Sequence, residues 1–74
     1  MKFPQYRKIA NGKSVYKITG FDQFTELQRI GTRNVLYQIK ASTYFEKVRI
    51  QEMLNLVDPY LMANPKEIET LINT

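Results

Sequence analysis

The chain contains no cysteine and no histidine, and these two gaps exclude more than any motif in it suggests. Without cysteine there is no disulfide framework, no thiol nucleophile and no thiolate metal site. Without histidine, the commonest general base near neutral pH and the commonest transition-metal ligand are both missing. A secreted domain this small usually needs disulfide staples, so their absence points to the cytoplasm. Glycine and proline number three each and act as local punctuation, with no linker or low-complexity stretch. No apolar run approaches the roughly 18 residues of a membrane span, and Met1–Arg7 lacks the apolar core of a signal peptide. The expectation is therefore no membrane, no metal and no cofactor.

What is present fits one folded unit over residues 1–74. A chain of 8.7 kDa buries about 60% of the surface it exposes when unfolded, enough for one modest core. An apolar fraction of 43% with nine aromatics (five Tyr, four Phe) is too high for a disordered chain. The net charge of +4 is uneven. Residues 1–42 hold eight Lys/Arg against Asp22 and Glu26 (8 − 2 = +6), and residues 43–74 hold three against five acids (3 − 5 = −2). A basic half can meet an anionic partner such as nucleic acid, or can simply keep the surface charged and soluble.

Local chemistry predicts the elements. Asn11-Gly12 between Gln5–Ile9 and Ser14–Ile18 reads as a β-hairpin closed by a type I′ turn. Phe21, Phe24, Leu27 and Ile30 recur every three residues, which predicts a short amphipathic helix over Phe21–Ile30 stopped by Gly31. Asn34–Ala41 alternates, with Val35, Tyr37, Ile39 and Ala41 on one side, as in a half-buried strand. Thr43 and Glu46 form a capping box ahead of a helix over about Tyr44–Leu56, with Ile50, Met53, Leu54 and Val57 as its apolar stripe and Asp58-Pro59 as its end. Tyr60–Met62 is a short strand candidate. Asn64-Pro65 then starts a third helix running to about Ile72.

Tyr16, Ile18, Phe24 and Leu27 lie at offsets 0, 2, 8 and 11. Tyr37, Ile39, Phe45 and Val48 repeat the spacing, as do Tyr60, Met62, Ile68 and Leu71. Either three equivalent strand–helix units are present, or the spacing is coincidence in a chain 43% apolar. Equivalent units with right-handed crossovers would make three parallel strands with the helices on one face. The expected fold is thus α+β: an N-terminal β-hairpin, then β-α units, giving a small sheet of 3–4 strands with about three helices mostly on one face. The uncovered face would show Val15, Lys17, Leu36, Gln38, Lys40 and Leu61, the candidate interaction surface.

The tyrosines beside lysines invite base stacking, but Tyr16, Tyr37 and Tyr60 alternate with apolar Ile18, Ile39 and Met62, which favours the core reading. Arg7, Lys8, Lys13 and Lys17, on or beside the hairpin, are candidate anion or nucleic-acid contacts, or a lysine-guarded edge. Gly31-Thr32-Arg33 would follow a helix, at its negative end, and Asn64-Pro65-Lys66 has the better polarity but loses an N–H donor to proline, so neither is a specific anion-site signal. Catalysis by carboxylates needs two that converge; Glu67 and Glu69 diverge on a helix, and Glu46 and Glu52 do not stack. No enzymatic activity is expected.

The opening Met1-Lys2-Phe3-Pro4-Gln5-Tyr6-Arg7-Lys8, with Asn11, Lys13-Ser14, Tyr16-Lys17-Ile18 and the stretch Arg49–Leu54, resembles a family of short uncharacterised bacterial proteins. The chain departs from that pattern at Asn64-Pro65-Lys66, where the family would carry acids. The resemblance implies a short bacterial protein complete in itself and transfers no site. The functional expectation is a non-enzymatic protein-interaction module, homodimeric through an open sheet face or edge or contacting another protein, with nucleic-acid binding by the basic residues of 1–42 as the alternative.

Overall fold

The computed structural model describes residues 1–73. Its order is β1 (Gln5–Ile9), β2 (Ser14–Gly20), β3 (Gln23–Ile30), β4 (Arg33–Lys40), α1 (Tyr44–Leu54), β5 (Tyr60–Met62) and α2 (Pro65–Ile72). The five strands form one antiparallel sheet in the order β4-β3-β2-β1-β5. The α+β class and the N-terminal hairpin agree with the sequence. The strand count, the helix count and the parallel units do not: there are five strands, two helices among the described residues, and no parallel pair in the sheet.

The decisive correction is Phe21–Ile30, which is strand β3 rather than a helix. A helical spacing of three places Phe24 and Leu27 on opposite faces of a strand. Both are nonetheless buried, because each face of the sheet carries its own helix. Phe21 and Ile30, the ends of the apparent stripe, are exposed. Without that first helix the threefold strand–helix repeat falls.

Gly31 is correspondingly a hairpin residue and not a helix stop. It takes φ 64° at the first central position of the two-residue turn between the paired Ile30 and Arg33, where a type II′ turn needs positive φ. The first hairpin turns differently from the expected type I′, which needs positive φ at both central residues. Only Gly12 has it (φ 75°). The Gly12 N–H donates to the Ile9 carbonyl at 2.9 Å, and the Asn11 side chain accepts from the Lys13 N–H at 2.9 Å, a turn followed by a left-handed glycine.

Register assigns the faces. Arg7 stands opposite Tyr16, and Tyr16 opposite Glu26. On that face Tyr16, Ile18 and Phe24 pack with Ala41 and with Ile50, Met53 and Leu54 of α1. The rings of Tyr16 and Tyr60 meet edge-on at 5.7 Å, which builds a core from a short strand and a central one. On the other face α2 buries Ile68 and holds Lys17 through Glu69. The helices therefore lie on opposite faces.

Helix α1 begins as its chemistry requires. The Thr43 side chain accepts the Glu46 N–H at 3.2 Å while Glu46 Oε1 accepts the Thr43 N–H at 3.1 Å, a reciprocal box. It stops at Leu54, two residues short of expectation, well before Pro59. The N–H of Val57 reaches the Glu52 carbonyl (3.0 Å) and that of Leu56 the Met53 carbonyl (3.3 Å), the paired bonds of a Schellman end. Leu56 fills the left-handed position that usually takes glycine (φ 57°). Helix α2 starts at the expected proline, with the Asn64 side chain accepting the Lys66 N–H at 2.9 Å.

Candidate interaction surfaces

The six residues of the expected open face do share one face, because Lys8 lies between Leu61 and Val15, Val15 faces Leu27, and Leu27 faces Leu36. That face is not bare. Helix α2 crosses it, and Glu69 grips Lys17 at 2.9 Å. The hydrogen bond from Lys17 holds the Glu69 carboxyl below its ordinary range against the opposing effect of desolvation; the same bond raises Lys17. Val15 is half-buried and lines a cavity against α2. Leu36, Gln38 and Lys40 on β4, and Leu61 on β5, remain exposed at opposite sides of the sheet.

The basic quartet does not form one patch. Arg7 lies on the α1 face and is only 4% exposed. Its guanidinium donates to the carbonyls of Met53 (2.9 Å) and Leu54 (3.3 Å) at the end of α1, and to that of Tyr6 (2.8 Å). It serves the helix terminus, where the dipole favours a cation, and burial lowers its pKa. Arg7 is thus corrected from a surface anion contact to a buried cap. Lys17 is committed to Glu69. Lys8 and Lys13 alone of the four stand exposed without an ion pair among the described residues.

Those two join cations that sequence reasoning did not select. A groove of about 520 Å³ between α2 and the sheet has Val15, Ala63, Ile68 and Leu71 on its apolar side and Lys8, Arg29 and Lys66 around it, with Glu67 the one acid. It continues toward Lys13 and Asn34. Reading β3 as a strand would have found Arg29, which shares a face with Leu27; the helical misreading hid it.

A partly buried polar cluster fills the α1 side. Arg49 donates to Glu26 (3.4 Å) and to the hydroxyls of Tyr16 and Tyr60 (3.3 Å each), with its guanidinium over the rings of Tyr16 and Phe24. Glu26 is also bound by Gln28 at 2.9 Å and is 4% exposed. A carboxylate so enclosed and doubly engaged is held as a structural partner rather than presented to a substrate. Tyr16 and Tyr60 are core residues, as one reading of the sequence had it, while Tyr37 on the same face is 41% exposed. No grouping of acids suited to a metal occurs among the described residues, and no helix among them is long and apolar enough to cross a membrane.

The remaining feature is an edge. β4 pairs with β3 along its whole length, Gln23↔Lys40 through Ile30↔Arg33, and is the last strand of the sheet on that side. Antiparallel residues alternate in the direction of their backbone groups. The Ala41 N–H donates to the Asp22 carbonyl at 2.6 Å, so odd-numbered residues of β4 turn toward β3. The N–H and C=O groups of Asn34, Leu36, Gln38 and Lys40 point outward. Natural edges are commonly blunted by proline, bulges, short length or central lysines. β4 has eight residues, no proline or glycine, and cations only at its ends. The opposite edge, β5, has three residues and runs into Asn64-Pro65. No protein-family model matches this chain, and no curated protein or solved structure matches it either.

Proposed function

We propose that this protein is a non-enzymatic protein-interaction module whose contact is made by adding a strand to the β4 edge. The observation that carries this reading is the eight-residue outer strand with four outward pairs of backbone groups and no protecting residue in its middle. Side chains on both faces of β4 would supply specificity: Val35, Tyr37 and Ile39 on the α1 face, Leu36 and Gln38 on the other. The engaged state of Glu26 and Glu46 supports a role in contact over one in catalysis. The lack of cysteine supports a reducing, cytoplasmic setting.

The test is a selection of random peptides on the immobilised chain. Peptides that bind should lose binding when alternate backbone nitrogens are methylated, and should not bind the Leu36→Pro variant. Proline there removes only an outward N–H and leaves the ladder to β3 intact. Selected peptides that bind Leu36→Pro as well as the unaltered chain would overturn the edge reading.

A second reading rests on the α2 groove, where Lys8, Lys13, Arg29 and Lys66 surround aliphatic side chains. These cations suit an anionic partner such as nucleic acid, though the groove's lining offers no ring for base stacking. Binding to a mixed oligonucleotide would then fall steeply with salt and fall further in Lys8→Glu with Arg29→Glu. No binding at low salt would remove this reading.

A further inference from the structure

The β4 edge is complementary to itself in one register, and we propose that its occupant is a second copy of this chain, paired antiparallel about a two-fold axis through Tyr37. This inference rests on the edge reading above and adds the identity of the partner.

A two-fold axis that pairs two β4 strands antiparallel must stand perpendicular to the sheet, so it keeps the α1 face of one copy level with the α1 face of the other. Directly opposed residues then belong to the same face. Face alternation along β4 therefore allows only registers in which a residue meets itself on the axis. Three centres are open: Leu36, Tyr37 or Gln38. With Leu36 on the axis, Asn34 meets Gln38 but Lys40 meets Thr32, beyond the strand. With Gln38 on the axis, Leu36 meets Lys40 and Asn34 meets residue 42, again beyond the strand.

With Tyr37 on the axis, Asn34 meets Lys40 and Leu36 meets Gln38. All four outward-facing residues then pair within the strand, each giving one N–H and one C=O, so about eight backbone bonds close across the axis. No other two-fold register satisfies all four. Side chains agree. On the α1 face, Tyr37 meets Tyr37 and Val35 meets Ile39, an apolar row that covers the 41%-exposed Tyr37. On the α2 face, Leu36, itself 43% exposed, meets the stem of Gln38, and Lys40 meets Asn34, not a cation. Arg33 meets Ala41. Like charges are thus kept apart, a condition that weighs as much as attraction in choosing a register. The larger helix–sheet contacts are those of α1 with β1 and β5 and of α2 with β1 and β2. Ile39 of β4 packs against the core beneath α1, while Asn34, Leu36, Gln38 and Lys40 along the edge are all exposed. The product is a ten-stranded sheet, within the usual limit for an open twisted sheet.

The test uses the full chain. Sedimentation equilibrium from micromolar to millimolar concentration should show the mass rising toward twice that of the chain. Leu36→Pro removes one donor from each copy and should raise the dissociation constant about 25-fold, taking each backbone bond as roughly a factor of five. Gln38→Pro does the same and serves if Leu36→Pro does not fold, with circular dichroism as the check. The register is read by cross-linking, which is clean because the chain has no cysteine of its own. Tyr37→Cys sits at a non-hydrogen-bonded pair, where Cα atoms approach to about 4.5 Å and a disulfide fits. It should oxidise to a covalent dimer faster than Leu36→Cys. A dimer indifferent to both proline variants, or faster cross-linking of Leu36→Cys, would overturn the proposal. So would a monomer at every concentration; that result leaves peptide binding at the edge standing, whereas loss of both sinks the module reading as well.

Discussion

Replacing Arg7 by methionine should destabilise the fold by about 2–3 kcal/mol, although the same residue looks like a solvated surface cation in the sequence. The structure gives it three backbone acceptors, at 2.9, 3.3 and 2.8 Å. Hydrogen bonds from a charged donor contribute roughly 1.5–3 kcal/mol each. The Leu54 carbonyl would lose this donor in a buried setting, while the Met53 carbonyl keeps the Leu56 N–H. Against this stands the cost of holding a guanidinium 4% exposed without a carboxylate partner among the described residues, which methionine relieves. The methionine stem keeps most of the packing, so the net isolates the polar contribution. For a domain of this size the change corresponds to a fall in Tm of roughly 10–20 °C. Arg7→Lys should retain part of the loss, since an ammonium cannot fork to two carbonyls. Thermal and urea unfolding followed by circular dichroism read the effect. A loss under about 0.5 kcal/mol, the ordinary value for surface substitutions, would show that water serves those carbonyls and refute the capping role.

Leu56→Gly should stabilise the protein by about 0.5–1 kcal/mol, because glycine takes φ 57° without the penalty a side chain meets there; a urea midpoint that falls would contradict this. Thr43→Ala removes the acceptor for the Glu46 N–H and should cost about 1 kcal/mol by the same assay. The Lys17–Glu69 pair should give stability a dependence at acid pH. Glu69 is held below the ordinary carboxylate range, so its contribution is complete above the unfolded value near 4.3 and is lost as pH falls through the lower folded value. Glu69→Gln should therefore flatten the stability profile below about pH 4.5 relative to the unaltered chain, and an unchanged profile would argue that the pair does not persist in solution.

The parts legible in the sequence are those written in local chemistry. Thr43 with Glu46, Asn64 with Pro65, and the alternation of Asn34–Ala41 each announce an element through contacts within a few residues, and each is found. β3 fails for a tertiary reason. Its apolar residues follow neither face alone, because α1 covers Phe24 and α2 covers Leu27, so a two-sided strand imitates a helix. The error propagated: it created the threefold repeat, placed every helix on one face and concealed Arg29 from the groove. Arg7 was misplaced because charge suggests exposure, and nothing near it in sequence shows that the end of α1, 46 residues away, needs donors. The candidate surface residues on β4 did reach the surface, but what makes β4 distinctive is its position at the edge, which is a property of strand order.

The most direct measurement of the edge claim is amide hydrogen exchange at single residues of β4, at dilute and concentrated protein. Val35 and Tyr37 point toward β3 and should exchange slowly at both concentrations. Leu36 and Gln38 should exchange fast when dilute and become slow as concentration rises, since only a second chain can occupy their N–H groups. Fast exchange of Leu36 and Gln38 at every concentration, with Val35 and Tyr37 protected throughout, would contradict self-pairing at this edge.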